Sequence, residues 1–290
     1  MTATLIDGKT IASLMRKQMT GRVKALGDAG IRPGLAVVLV GDDAPSRAYV
    51  RGKIRDCKEV GIHSELIRYP ADVSENEVLK TIDRLNIAET IHGILVQLPL
   101  PRQISESKVI RHISPAKDVD GFHPVNIGLL LTNQDGFVPC TPAGIIRMLQ
   151  TMHVTIAGKH VVVIGRSRIV GKPAAQLFLN HDATVTICHS KTVGLADYTR
   201  QADILVVAAG KAGLVGADEV KAGAVVVDVG MNRDARGKLV GDVRFWEVRE
   251  KASMITPVPG GVGPMTRVML LENTLKAAEN RLKKRNGDGE

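Results

Sequence analysis

The stretch His160-Val-Val-Val-Ile-Gly165, continuing as GRSRIVGKP (165–173) and AAQLFLN (174–180), decides the fold class. A short β-branched run, a glycine-bearing turn and a helical pattern make a strand–turn–helix unit. Such a turn aims backbone N–H groups of the helix N-terminus at a phosphate. The spacing, Gly165-x-Ser167-x-x-x-Gly171, departs from G-x-G-x-x-G, so taken alone it is equally consistent with an ordinary tight turn.

Working outward, similar runs recur at ATVTIC (183–188), DILVVAAG (203–210) and AVVVDVG (224–230). An earlier series comprises LAVVLV (35–40), SELIRY (64–69) and GILVQL (93–98), with helical patterns between, as in Ser46–Val60 and Ser74–Ile87. Runs without in/out alternation predict strands buried on both faces of parallel sheets. Two series predict an α/β protein of two domains. They are an N-terminal α/β domain and a Rossmann-like domain whose glycine turn would meet a dinucleotide. The turn-rich TNQDGFVPCTP (132–142) marks the join, and Thr141-Pro142 reads as the N-cap and first residue of a helix over Ala143–Thr151. The expected division is 1–138, completed by a C-terminal helix within 266–290, and 139–265.

Composition narrows the functional class. The 290 residues carry a net charge of +9, with 44% hydrophobic and 24% charged residues, which argues against disorder. Residues 1–138 hold 18 basic and 16 acidic side chains, and 139–290 hold 21 and 14. Four of the latter bases, Arg281, Lys283, Lys284 and Arg285, crowd a polar tail. The remaining bias suits an anionic small ligand better than a nucleic-acid duplex. One Trp, three Tyr and four Phe are few for stacking bases. No apolar run is long enough to span a membrane, and MTATLIDGKT has no signal-peptide pattern. Cys57, Cys140 and Cys188 form no C-x-x-C, and the histidines form no H-E-x-x-H. The expectation is a cytoplasmic protein without a metal.

Where a site for the unphosphorylated cofactor places an acid at the end of its second strand, this chain has His189, Ser190 and Lys191. Arg166 sits in the first turn. Neutral donors and cations there favour a ribose 2′-phosphate, hence NADP; the alternative is that Arg166 and Lys191 simply face solvent. On the helix Ser46–Val60, the side chains of Arg47, Arg51, Arg55 and Lys58 share one face, while Tyr49, Lys53 and Cys57 fall on another. Lys53 is thus the basic residue in semi-apolar surroundings, where desolvation lowers an amine pKa. From this helix alone a snorkelling lysine is the simpler reading. Three loops change that weighting. GILVQLPLP (93–101) ends a buried strand with Gln97 before two prolines, SPAKDVDGFHPVN (114–126) brings Asp118 and Asp120, and TPVPGGVGPMT (256–266) is stiffer than a connector requires.

PSRAYVRGK, GILVQLPLP, KDVDGFHPVNIG, PCTPAGI, GRSRIVGKP, HSKT, DVGMN and TPVPGGVGPMT, in this order, resemble the methylenetetrahydrofolate dehydrogenase/methenyltetrahydrofolate cyclohydrolase family. The resemblance runs from about residue 35 to 275. It implies NADP-linked oxidation of 5,10-methylene-tetrahydrofolate, then hydrolysis of the methenyl product to 10-formyl-tetrahydrofolate. It also implies a homodimer with its active site in a cleft between domains. On this resemblance Lys53 is the catalytic lysine, Tyr49 the pterin-stacking tyrosine, Gln97 the lysine's partner and Asp120 the pterin anchor. Gly165, Arg166, Ser167 and Ser190 are the dinucleotide positions. Leu98, Pro259, Gly260 and Gly261 lie on the folate side, and Met231 replaces a usual isoleucine at a backbone contact to the nicotinamide. Three other readings stay open at this point: a dehydrogenase-only member, a two-domain dehydrogenase for another small molecule, and a non-catalytic nucleotide-binding module.

Overall fold

The computed structural model describes residues 2–287. In chain order the elements are β1 (Thr4–Leu5), α1 (Gly8–Asp28), β2 (Gly34–Val40), α2 (Ala44–Val60), β3 (His63–Tyr69), α3 (Glu75–Ile87) and β4 (Gly93–Val96). Then come α4 (Glu106–His112), α5 (Pro124–Leu131), α6 (Cys140–Thr151), β5 (His160–Ile164), α7 (Gly171–Leu179), β6 (Thr184–Cys188), α8 (Leu195–Thr199), β7 (Ile204–Val207) and β8 (Val225–Asp228). The chain ends with β9 (Asn232–Arg233), β10 (Leu239–Val240), α9 (Phe245–Arg249), β11 (Met254–Ile255) and α10 (Val262–Asn286).

Two compact units form. One gathers the N-terminal residues through Ser13 with Thr141–Thr266; the other holds Leu14–Cys140 and the C-terminal stretch from Arg267. The first thirteen residues therefore separate from the rest of 1–138. The reason is β1, which pairs in parallel with β11 through Thr4↔Met254 and Leu5↔Ile255. A two-residue strand paired 250 positions away leaves no periodic signal. Helix α6 starts at Cys140, ahead of the expected Ala143, and α10 starts four residues before the expected Thr266. The part of the expected C-terminal segment beyond Gly287 lies outside the described residues.

The unit holding Leu14–Cys140 has a three-stranded parallel sheet in the order β3-β2-β4. Strands β2 and β4 are buried at every residue, as continuous apolar runs should be. The edge strand β3 is not: its residues are half-buried or exposed. Helix α2 is well punctuated. The Asp43 carboxylate accepts from the Ser46 amide at 2.9 Å, Pro45 occupies the first turn, and Gly61 closes the helix in the left-handed region. Its inward face carries Val50, Lys53, Cys57 and Val60.

The other unit has a six-stranded sheet in the order β1-β11-β8-β7-β5-β6, parallel throughout. Strand β5 lies between β6 and β7, the two strands that follow it in the chain, which makes a topological switch point at the carboxyl ends of β5 and β7. Behind it Asp228 and Asp242 frame the loops. Asp242, fully buried, accepts from the amides of Ala209 (2.7 Å) and Gly210 (2.8 Å) and from Asn232 Nδ2 (2.8 Å). Asp228 accepts from the amides of Gly230 (2.9 Å), Asp242 (3.0 Å) and Val243 (2.9 Å). These bonds join the loops after β7 and β8. Replacing Asp242 by Ala removes the acceptor of three part-buried donors, each worth about 1 kcal/mol or more because the acceptor is charged. The expected outcome is a fall of several degrees in the unfolding temperature of D242A by calorimetry; an unchanged transition would contradict this framing role.

Candidate active site

Lys53 is 7% exposed on α2. Its Nζ donates to Gln97 Oε1 at 3.1 Å and lies 5.5 Å from the centroid of the Tyr49 ring. Gln97 follows β4 directly, at the carboxyl end of a parallel sheet. Its Nε2 donates to the Leu98 carbonyl at 2.7 Å, which turns Oε1 toward the lysine. Its own amide is held by Val38 O at 2.9 Å. The polar residue noted at the end of GILVQL is thus fixed at both ends.

Burial lowers the Lys53 pKa, opposed chiefly by the negative charge of Asp120; Arg267 acts in the same direction as burial. Burial raises the Asp120 carboxyl to about 6, with Lys53 pulling it back and Asp118 pushing it further up. The two shifts run in opposite directions and bring the proton affinities of the amine and the carboxyl closer together. Tyr49 is half-buried and its pKa is also raised by burial. Cys57 is pushed up to about 12 and Cys140 well above the usual thiol range, both by burial, so neither presents a thiolate.

The two loop aspartates part company. Asp118 is 2% exposed and accepts from the amides of Phe122 (3.2 Å) and His123 (2.8 Å) and from Asn126 Nδ2 (2.8 Å). It folds the loop. Asp120, partly accessible, accepts none of these bonds. Two residues escaped the sequence reading. Asn273 on α10 donates to the carbonyls of Val119 (2.8 Å) and Val138 (3.0 Å), pinning the chain beside Asp120. Arg267 pairs with the buried Asp56 at 3.0 Å and lies so close over Gly52 that a Cβ there would stand 2.5 Å from its Nη1. A glycine inside α2 was the available signal for that approach.

In the other unit, Gly165 has φ +123° and its Cβ position is blocked by Ala208 O at 2.2 Å, so only glycine fits. The Ser167 hydroxyl accepts from the amides of Val170 (3.1 Å) and Gly171 (3.3 Å) at the start of α7. Arg166, Ser167, Ser190 and Lys191 are exposed at the carboxyl ends of β5 and β6, and Met231 is 53% exposed after β8. His189 turns its Nδ1 back onto the Lys191 amide at 3.2 Å. A glycine turn with exposed serines and cations at the strand ends makes a donor set that fits a phosphorylated dinucleotide. Pro259, Gly260 and Gly261 fall in this unit, at the carboxyl end of β11, where Lys9 N donates to Gly260 O at 2.9 Å. They are grouped with the nucleotide loops and not with Lys53. Among the described residues no cluster of His, Cys, Asp and Glu is placed to hold a metal.

Two family profiles match the chain: the tetrahydrofolate dehydrogenase/cyclohydrolase catalytic domain over residues 6–120, and the NAD(P)-binding domain of the same family over 139–282. The chain belongs to the tetrahydrofolate dehydrogenase/cyclohydrolase family. Among the family's curated proteins, the bifunctional protein FolD of Halalkalibacterium halodurans is 59% identical, covering 96% of this chain and 100% of that protein. The bifunctional FolD dehydrogenase/cyclohydrolase of Campylobacter jejuni is 49% identical, with a TM-score of 0.95 over 96% of this chain and 99% of that one. The Trypanosoma brucei enzyme, solved with NADP and an inhibitor, is 41% identical with a TM-score of 0.94, covering 98% and 99% of the two chains.

Asp120 provides a direct test of the coupled charges. Its carboxyl should titrate near pH 6 by carbon-13 NMR, and in K53M the midpoint should rise, since the neighbouring cation is gone. A midpoint that stays put would show that the two do not interact. The raised pKa also means that between about pH 4 and 6 the folded chain keeps a proton the unfolded chain releases. This group's stabilising contribution is therefore full below about pH 4 and declines as pH rises through 6.

Proposed function

We infer that this protein oxidises 5,10-methylene-tetrahydrofolate with NADP and hydrolyses the methenyl product to 10-formyl-tetrahydrofolate. The observation that carries the reading is the buried Lys53–Gln97 pair beside Asp120, in a chain of this family. NADP, when bound, accepts the hydride from the one-carbon bridge. The protein's part in that step is alignment of the reacting groups. Gly165, Arg166, Ser167 and Ser190 would hold the cofactor, with the Met231 backbone toward the nicotinamide. Arg166 and Ser190, assisted by Lys191, suit a 2′-phosphate.

In our assignment, the Tyr49 ring stacks on the pterin and the Asp120 carboxylate accepts from its amino and ring N–H groups. A charged acceptor fixes orientation better than a neutral one. The methenyl carbon is cationic, so water adds to it with loss of one proton. Lys53, whose neutral form is favoured by burial, takes that proton at Nζ while Gln97 Oε1 keeps the amine in place. The C–N5 bond then breaks as the hydroxyl loses its proton and N5 gains one, which leaves the formyl group on N10. Leu98, Pro259, Gly260 and Gly261 are assigned to substrate contacts. Retention of Lys53 and Gln97 favours the bifunctional reading over a dehydrogenase alone, and a non-catalytic module would have no use for a desolvated lysine.

We also assign a homodimeric state, on the family resemblance, and a cytoplasmic location. Three free, buried cysteines suit a reducing compartment. Among the described residues no helix is long and apolar enough to cross a membrane.

In K53M, methenyl hydrolysis should fall by at least about 10²-fold, the usual contribution of a positioned proton-transfer group. NADP affinity should be unchanged. Undiminished hydrolysis sinks the lysine assignment. D120A should lose both activities through weaker folate binding, seen as a raised KM; wild-type folate affinity would remove Asp120 as the anchor. NADP should support faster oxidation than NAD at equal concentration, and the reverse order would refute the role given to Arg166 and Ser190.

A further inference from the structure

The amino ends of β2, β3 and β4 enclose a second cavity, of about 530 Å³, within the unit holding Leu14–Cys140. It is lined by Arg32, His63, Glu89, His92, Arg281 and Arg285, among others. Lys53 and Gln97 belong to the carboxyl ends of the same sheet. Five residues of extended chain from His92 to Gln97 put about 17 Å between the two places. The cavity is therefore separate from the folate position.

His92 lines the cavity and carries an unanswered donor beside it. It is 5% exposed, and its Nδ1 accepts from the Gly34 amide at 3.1 Å. The ring hydrogen consequently sits on Nε2, which is buried and has no partner. A buried N–H without an acceptor is rare in folded proteins. Around it stand three guanidinium groups and one carboxylate. Glu89 is largely exposed and is engaged by Arg281 at 2.9 Å, while Arg285 Nη2 donates to the Ala29 carbonyl at 2.6 Å. Arg32 is exposed and forms no hydrogen bond or ion pair with a described residue.

Complementing the carboxyl end of α10 would explain Lys283 and Lys284 in its last turn. It does not explain Arg281 and Arg285, whose described bonds go to Glu89 and Ala29 instead. The region also carries an unbalanced positive potential. His92 is held down to about 4 by burial and then by Arg281 and Lys117. Lys117, which donates to the carbonyls of Leu85 (2.8 Å) and Ala88 (2.7 Å), is lowered to about 8 by burial and then Arg281.

We propose that this cavity is a second ligand site, which takes a compact anion carrying two or more phosphate or carboxylate groups. Arg32, Arg281 and Arg285 supply the charge, and planar guanidinium groups match both kinds of oxyanion. The His92 ring forms part of the wall beside them.

The test uses the full chain saturated with NADP, so that the dinucleotide position is filled. Sodium pyrophosphate and sodium citrate are titrated separately at constant ionic strength, by calorimetry and by nitrogen-15 NMR of the histidine side chains. The expected result is saturable one-to-one binding of at least one of them, with shifts at His92 Nε2 and the Gly34 amide. The tighter of the two identifies phosphate or carboxylate as the preferred group. Combining Arg32→Ala with Arg285→Ala should weaken binding at least about tenfold, as loss of charge-assisted bonds would, and leave methenyl hydrolysis unchanged. The proposal is overturned by absence of saturable binding, by shifts confined to other positions, or by equal affinity in the double variant.

Discussion

A lysine ammonium placed where water solvates it poorly is the constraint on which the substrate-side unit depends. Lys53 is nearly inaccessible, and burial lowers its affinity for the proton. Asp120 restores part of the preference for charge, and Gln97 supplies a neutral acceptor at 3.1 Å. Neither partner acts unaided. Leu98 O holds the Gln97 amide, Asp118 folds the loop that presents Asp120, and Asn273 ties that loop to α10. Arg267, paired with Asp56, adds a second cation that pushes the lysine toward its neutral form. The result is an amine and a carboxylate with converging proton affinities, as proton transfer near neutrality requires.

The nucleotide-side unit solves a different problem. Here the functional groups are exposed, because a dinucleotide carries its own charge and is met by backbone and cations at strand ends. What must be buried is the frame. Asp228 and Asp242 accept main-chain and Asn232 N–H groups from the loops after β7 and β8, so the loops are shaped from beneath. Gly165 is pressed against Ala208 at the switch point between β5 and β7. In the smaller sheet β2 lies between β3 and β4, in the larger β5 lies between β6 and β7, and in both the residues assigned to chemistry or cofactor follow the carboxyl ends. The cavity around His92 stands at the other end of the smaller sheet, where that rule expects no ligand.

Much of this was legible in one dimension. Continuous apolar runs marked β2, β4, β5, β7 and β8, because strands buried on both faces need no alternation. The edge strands β3 and β6 were found as strands but misread as buried, since a run's hydrophobicity does not say where it lies in the sheet. Helical phase separated Lys53 from Arg51, Arg55 and Lys58, which are exposed. Phase could not say which carboxylate would face the lysine. Asp118 and Asp120 are two residues apart in one polar loop, and only the bonds from His123 and Asn126 assign the first to structure.

The sequence by itself determined the fold class, the strand-end loops, the family and the lysine on the inward face of α2, because local periodicity and ordered motifs carry that information. Tertiary structure decided the rest. It joined β1 to β11 across the chain, set Arg267 over Gly52, pinned the Asp120 loop with Asn273 and left His92 with an unanswered donor. Each of these depends on residues far apart in sequence that become neighbours only when burial removes water between them, and no local pattern records such a meeting.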